Sequence, residues 1–91
     1  MNGETPVYGR TITKTFFFEG FVSTSLFDGF GQIYTFSDKT FFSGTFKNGA
    51  KTGLGTTYSK GKSVKGIWFN DIFMGEYSID LENEMRLYNM L

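Results

Sequence analysis

The chain contains no cysteine and no histidine. Without cysteine it can form neither a disulfide nor a thiolate metal site, and its redox compartment is left open. Without histidine it lacks the commonest general base and the commonest metal ligand. The sequence therefore predicts no metal and no cofactor, and an enzyme is the least favoured function class.

Other features are scarce or absent. The formal net charge is zero, which argues against bulk electrostatic binding to nucleic acid or to an anionic membrane. No apolar run approaches the roughly 20 residues of a membrane helix. The N-terminal stretch MNGETPVYGR lacks the charged and apolar regions of a signal peptide. We therefore expect a single domain over residues 1–91, located in the cytoplasm. Nucleic acid is not expected as a direct ligand.

Glycine and aromatic residues are abundant, and the glycines recur in a pattern. The pairs Gly29/Gly31 and Gly53/Gly55 form two Gly-x-Gly motifs, and a third copy keeps Gly75 but has Tyr77 at the second position. A further glycine lies nine residues before each motif, and these three glycines are 24 and then 22 residues apart: Gly20, Gly44 and Gly66. A fixed period of this size is typical of repeat proteins.

Each copy is predicted to form two short strands joined by a turn. Asn48-Gly49 is the strongest turn signal, because type I′ turns need positive φ at both central residues. Residues 7–14 match the second half of a copy. The predicted strands are 16–23, 30–36, 41–47, 54–59, 63–69 and 73–79, and the turns within copies are 24–28, 48–52 and 70–71. The predicted fold is all-β, a single-layer antiparallel sheet of stacked β-hairpins over residues 7–79.

The recurring glycines need an explanation, because glycine inside a strand weakens it. Side chains two residues apart share a face of a strand, so Phe42 and Phe46 flank Gly44 on one face. We infer that glycine leaves room for a neighbouring ring to lie flat against the backbone. The expected result is an aromatic face across the repeats, although each ring taken singly also fits ordinary core packing. The candidates are Phe18, Phe42, Phe46 and Trp68, with Tyr34, Tyr58 and Phe36 as further members.

The motif resembles the MORN (membrane occupation and recognition nexus) repeat. FFSGTFKNGAKTGLGTTY is the best copy, with Phe42 and Phe46 where the repeat has tyrosine and tryptophan. FFEGFVSTSLFDGFGQIYTF and VKGIWFNDIFMGEYSI depart further, at Val22, Val64 and Tyr77. The resemblance covers residues 7–79. It implies an elongated sheet of hairpins that serves binding, as a protein-interaction platform or, in some members, as a lipid binder.

The C-terminal stretch SIDLENEMRLYNML predicts a short amphipathic helix over residues 80–91. Asp80 is a suitable N-cap. The helix is expected to cap the sheet by covering part of the aromatic face; the alternatives are self-association into a homodimer and docking into a partner. Its apolar residues at helical spacing are Leu81, Met85, Tyr88 and Leu91.

Lysines cluster in the middle of the sequence with no acidic residue among them: Lys47, Lys51, Lys60, Lys62 and Lys65. Such a run is usually a solvated face. The alternative is a basic strip that meets an acidic protein surface or phosphates.

A single-layer sheet cannot bury twelve phenylalanines, five tyrosines and a tryptophan, because it has no second layer to cover them. Exposed apolar patches mark interaction sites. The sequence therefore predicts a non-enzymatic protein-binding module, an adaptor or a stoichiometric inhibitor. One alternative, suggested by the abundance of Phe, Lys and Asn, is a phage- or mobile-element-encoded inhibitor of a bacterial defence or nuclease complex, located in the host cytoplasm. Another is binding to a phospholipid surface, which the zero net charge disfavours. An edge contact at the first strand, near residues 10–14, is a further route to a partner.

Overall fold

A computed structural model describes residues 7–23 and 26–91. Seven strands form one sheet in which each strand pairs antiparallel with its neighbour in sequence. The described residues measure 41 × 34 × 15 Å, so the sheet is one layer thick. The predicted fold, a single-layer sheet of hairpins with a C-terminal helix, is confirmed. The elements are β1 (Val7–Ile12), β2 (Phe16–Ser23), β3 (Leu26–Thr35), β4 (Thr40–Lys47), β5 (Ala50–Ser59), β6 (Lys62–Phe69), β7 (Ile72–Glu76) and α1 (Ile79–Leu87).

Two-residue turns close the hairpins after β4, β5 and β6. Asn48 and Gly49 have φ of 52° and 87°, which confirms the predicted turn with positive φ at both central positions. Lys60-Gly61 and Asn70-Asp71 also have positive φ at both positions. These turns match the right-handed twist of the flanking strands, and they fix the register of each hairpin.

Strands β3 and β5 begin earlier than the sequence predicts. Residues 26–28 and 50–52, predicted as turn, are strand; residues 24 and 25 lie outside the described residues. The first glycine of each motif has a positive φ, and the strand register shifts beside it. A β-bulge absorbs extra residues without ending the strand: there are two in β3, two in β5 and one in β7. The strands therefore continue through these positions, which are Gly29, Gly53 and Gly75.

Six consecutive strands place a glycine at the same register position. The pairing runs from β1 to β6 without a break. We call this set the glycine row: Gly9, Gly20, Gly31, Gly44, Gly55 and Gly66. It forms a trough, free of side chains, that crosses the sheet at right angles to the strands.

Phenylalanine rings fill this trough. A Cβ on Gly31 would lie 2.6 Å from Phe18 Cζ, and a Cβ on Gly44 would lie 2.8 Å from Phe42 Cζ. At Gly66 the ring comes from Phe73 of β7, with Cζ 2.9 Å away. These distances are too short for any residue with a Cβ, so the inference that glycine seats an aromatic ring is confirmed at these positions; extended to Gly29 and Gly53 it is wrong, because both are bulge residues with positive φ. The two glycines of each complete motif thus differ in role: the first makes the bulge and the second seats a ring.

The core lies on the face that these rings occupy, which we call the packed face. Phe18, Phe42 and Phe46 are 0%, 1% and 4% exposed. Phe18 stacks on Phe27 with ring centroids 3.6 Å apart, and Phe46 meets Phe18 edge to face at 5.3 Å. A second layer is not needed here, because the rings bury one another and the backbone beneath them.

Helix α1 begins one residue earlier than predicted. Ser78, and not Asp80, is the N-cap: its side chain accepts a hydrogen bond from the Leu81 N–H at 3.0 Å. Asp80 lies in the first turn, where the helix dipole favours a carboxylate. The helix is held further by Glu82, which accepts from Tyr77 Oη at 2.9 Å and pairs with Arg86 at 2.7 Å.

Helix α1 packs on the face opposite the packed face, so the expectation that it covers part of the aromatic face is wrong. Leu81 Cδ2 would lie 3.3 Å from a Cβ on Gly75, which pairs with Ile67 in the sheet. Ile67 and Met85 are 0% and 2% exposed. Only part of the predicted apolar helix face packs on the sheet, because the helix ends at Leu87. Two of its four predicted apolar residues, Tyr88 and Leu91, lie beyond that end and are exposed.

The ring seats give a prediction for stability. Gly31→Ala should lower the free energy of unfolding by about 1–3 kcal/mol, the usual cost of overpacking a filled site. Gly9→Ala is the matched control from the same row, because none of the described residues lies within 4 Å of a Cβ there. The control should leave stability unchanged or raise it by up to about 1 kcal/mol. Urea denaturation followed by circular dichroism measures both, and equal losses would contradict the role of the ring seat.

Candidate protein-binding surface

Three of the predicted contact residues are not accessible. Phe18, Phe42 and Phe46 are buried, and Trp68 is half-buried. The prediction that these rings present an exposed aromatic face is wrong for the first three. The physical reason is the glycine row, which lets their rings lie down against the backbone instead of standing away from it.

The tyrosines predicted on the same face lie on the other one. Tyr34 pairs with Phe41, and Phe41 pairs with Tyr58. Because side chains alternate along a strand, these residues face away from Phe42. We call this side of the sheet the open face. Phe36, just beyond β3, joins it through an edge-to-face contact with Tyr34 at 5.7 Å.

A row of large side chains crosses the open face in register over five strands. Ile12 pairs with Phe17, and the pairing continues in register to the last member of the row. Ile12 and Tyr58 are 72% and 46% exposed, and the members between them are half-buried. We call this set the aromatic row: Ile12, Phe17, Tyr34, Phe41 and Tyr58.

The repeat period carried the signal for this row. Phe17 and Phe41 are 24 residues apart, and so are Tyr34 and Tyr58. The four leading candidates lie two residues before or after a row glycine and therefore on the packed face, so the prediction missed Phe17 and Phe41. Adjacent aromatics in a strand supply both faces of the sheet.

Polar residues separate the aromatic row from a second apolar row on the open face. Arg10 and Glu19, the first pair of the polar row, form an ion pair at 3.3 Å. The polar row contains Arg10, Glu19, Gln32, Ser43, Thr56 and Lys65. The second apolar row is 37–57% exposed and contains Tyr8, Phe21, Phe30 and Leu54. The open face therefore offers apolar area and hydrogen-bonding groups side by side.

The aromatic row ends in a pocket of about 460 Å³ at the β5–β6 turn. Lys39 reaches it from the β3–β4 turn, and the rings of Phe41 and Tyr58 form its aromatic wall with centroids 5.7 Å apart. No carboxylate occurs among the described residues that line it. We call it the lysine pocket, and it is lined by Lys39, Phe41, Tyr58, Ser59, Lys60, Gly61, Lys62 and Ser63.

The five lysines of the predicted basic strip do not come together. Lys60 and Lys62 share the lysine pocket with Lys39, which the strip did not include. Lys47 lies beside the turn at the other end of β5, near the C-terminus of α1. Lys65 lies over the Tyr77 ring at 5.2 Å. The prediction of a single basic strip is therefore wrong. Strand β5 runs the length of the sheet between Lys47 and Lys60, so these two lysines lie at opposite ends of it.

The remaining lysine of that set, Lys51, belongs to the packed face. Its Nζ lies 4.8 Å from the centroid of Phe42 and 4.7 Å from that of Trp68. Burial lowers the pKa of Lys51, and the charges of Asp71 and Asp38 oppose that shift. The ammonium is held between two rings as a cation–π contact.

A second groove of about 460 Å³ lies on the packed face beside Trp68. It opens where Val64 stands in place of Phe18 and Phe42 of the earlier repeats. Two buried polar atoms of its lining residues, Trp68 Nε1 and Thr57 Oγ1, have no hydrogen-bond partner among the described residues. The groove and the lysine pocket share Ser59 and Lys62.

Comparisons with known proteins give no relative: no protein-family model matches the chain, and no curated protein matches it. Within residues 7–23 and 26–91, no helix has the length and apolar character needed to cross a membrane.

The buried position of Lys51 gives a prediction about pH. Its pKa is lowered in the folded state, so between that pKa and about 10.4, the ordinary value, the unfolded chain binds more protons. This contribution to stability therefore rises with pH across the window. The difference in unfolding free energy between wild type and Lys51→Met should shift in favour of wild type from pH 7 to pH 10, measured by urea denaturation. Lys47→Met serves as the exposed control; a difference independent of pH for Lys51→Met would contradict the assignment.

Proposed function

We propose that the protein is a non-enzymatic protein-binding module whose open face binds an acidic protein surface carrying exposed apolar side chains. The observation that carries the proposal is the continuity of the aromatic row with the lysine pocket. Phe41 and Tyr58 belong to both. One partner surface could therefore engage the ring surfaces and the ammonium groups together.

The apolar component is supported by the exposure of the open face. Helix α1 packs at the β6 and β7 end, and the apolar residues of the open face from β1 to β5 are exposed or half-buried. Tyr8, Phe30 and Tyr58 are 57%, 50% and 46% exposed. Tyrosine and phenylalanine are enriched in interface cores, because they bury a large area at a small loss of side-chain entropy.

The acidic component is supported by local charge. The net charge of the chain is zero, so attraction to an acidic partner has to come from a local concentration of lysine. Lys39, Lys60 and Lys62 provide it at one end of the aromatic row. Complementary charge at the rim of an interface raises the association rate and excludes wrong partners.

The chemistry of this surface suits a binding role. The lysine pocket offers ammonium groups, hydroxyls and rings, and histidine and cysteine do not occur in the chain. A stacked-hairpin sheet with a glycine row is also consistent with a MORN-like repeat, a class used mainly for binding. We therefore favour an adaptor or a stoichiometric inhibitor that acts by occupying its partner.

Affinity purification from the source cells with quantitative mass spectrometry tests this proposal. The open-face variants are an Ile12→Ser, Tyr58→Ser pair and a Lys39→Glu, Lys60→Glu pair. The control pair is Leu87→Ser, Tyr88→Ser, whose side chains as a pair are more exposed than those of Ile12 and Tyr58 but lie at the end of α1. Circular dichroism establishes that each variant is folded.

A stoichiometric partner should be retained by wild type and control and reduced roughly tenfold or more by each open-face pair, the usual effect of removing interface anchors. Its binding should weaken with added salt, and its mapped contact surface should be acidic. A partner that both open-face pairs retain would contradict the proposal. Binding to phosphatidylserine vesicles with no protein partner would replace it with a lipid-surface function.

A further inference from the structure

Strand β1 is an edge of the sheet. It pairs with β2 on one side, and none of the described residues pairs with its other side. Its side chains are exposed, with Val7, Tyr8 and Ile12 at 67%, 57% and 72%. Such an edge presents unpaired backbone N–H and C=O groups that can accept another strand.

The two complete hairpins follow one rule about ring seats. In each, a phenylalanine of the first strand covers the row glycine of its own strand and the row glycine of the next strand. Phe18 Cζ would lie 2.9 Å from a Cβ on Gly20 and 2.6 Å from one on Gly31. Phe42 covers Gly44 and Gly55 in the same way. The ring that fills a second-strand seat therefore comes from the strand before it.

Strand β1 is a second strand by this rule, and its seat is uncovered. Gly9 matches Gly31 and Gly55 in sequence and continues the glycine row. None of the described residues lies within 4 Å of a Cβ built on Gly9. Among the described residues, Gly9 is thus an unfilled ring seat beside a strand edge that none of them pairs with, at the position that a first strand occupies in the complete hairpins.

We propose that the free edge of β1 binds an extended segment of a partner protein that carries an aromatic-x-Gly sequence. The segment pairs antiparallel, with its glycine opposite Gly9 and its aromatic residue opposite Thr11. This register copies the pairs Gly44 with Gly55 and Phe42 with Thr57. The ring lies on the packed face, so the site is distinct from the open face and does not depend on the proposed function.

A second copy of the chain is a poorer occupant. Among the described residues, the other free edge of the sheet is β7. It carries Phe73-x-Gly75, but the Phe73 ring already covers Gly66, and Gly75 is a bulge with φ of 145°. If β7 of a second copy paired with β1, its Phe73 ring would have to leave the seat at Gly66 in order to fill the seat at Gly9.

The test uses a fluorescently labelled peptide with the sequence of residues 40–47, TFFSGTFK, flanked by lysines for solubility. It should bind wild type in fluorescence anisotropy and slow amide hydrogen exchange in β1. A peptide with Phe42→Ala and one with Gly44→Val should bind at least tenfold more weakly. In the protein, Gly9→Val should have the same effect, because its side chain occupies the seat, and none of the described residues lies within 4 Å of a Cβ there. Arg10→Val places the same side chain on the same strand but on the open face, and should bind like wild type.

Several results would overturn the proposal. Equal binding to wild type and Gly9→Val would show that the seat is not used. Exchange protection at β7 or at the aromatic row would place the peptide elsewhere. Slow exchange on both sides of β1 in the free, monomeric protein would show that the edge is already covered. Dimerisation in analytical ultracentrifugation that the peptide does not displace would assign the edge to a second copy.

Discussion

The contact between phenylalanine rings and bare glycine backbone is the interaction on which this structure depends. A sheet 15 Å thick has no second layer, so apolar side chains on it have only their neighbours and the backbone to pack against. Glycine in a strand costs roughly 0.5–1 kcal/mol relative to alanine, whereas burying a phenylalanine contributes about 1.5–3 kcal/mol. One ring covers two glycines in each complete hairpin, so the burial of the ring roughly offsets the cost of its seat, and the edge contacts between rings add to it.

This contact also makes the two faces different. The glycine row leaves one register position without side chains, and only on the packed face. Rings can therefore lie flat against the backbone on the packed face, whereas on the open face they project away from the sheet. Phe17 and Phe18 are neighbours in β2, yet Phe18 is 0% exposed and Phe17 is half-buried. Helix α1 covers only the end of the open face at β6 and β7, where Gly75 leaves room for Leu81, and the open face from β1 to β5 is not covered by any described element.

The repeat period was sufficient to predict the hairpins and the role of the row glycines, and the Asn-Gly dipeptide predicted the turn at residues 48–49. It was not sufficient to predict which aromatics are exposed, because Phe41 and Phe42 stand side by side and alternation alone does not say which face is covered. Distance along the sequence also misled the grouping of Lys47 with Lys60, since the ten-residue strand β5 separates them by roughly 33 Å. Ser78 and Asp80 are both good N-caps, and only the hydrogen bond to the Leu81 N–H distinguishes them.

The repeats differ most at one position of the packed face, two residues before each bulge glycine. Phe27 stacks on Phe18 there, Lys51 places its ammonium between Phe42 and Trp68, and Phe73 covers the seat that Val64 cannot fill. Each residue meets the same requirement, to cover the rings and the trough, with different chemistry. The aromatic row on the other face keeps its residue types over the first two of these repeats, as Phe17 with Tyr34 and Phe41 with Tyr58, and ends at Ser63 in the third. In a single-layer sheet the two faces share a backbone but not a core. A change in side-chain packing on one face therefore does not displace the side chains on the opposite face.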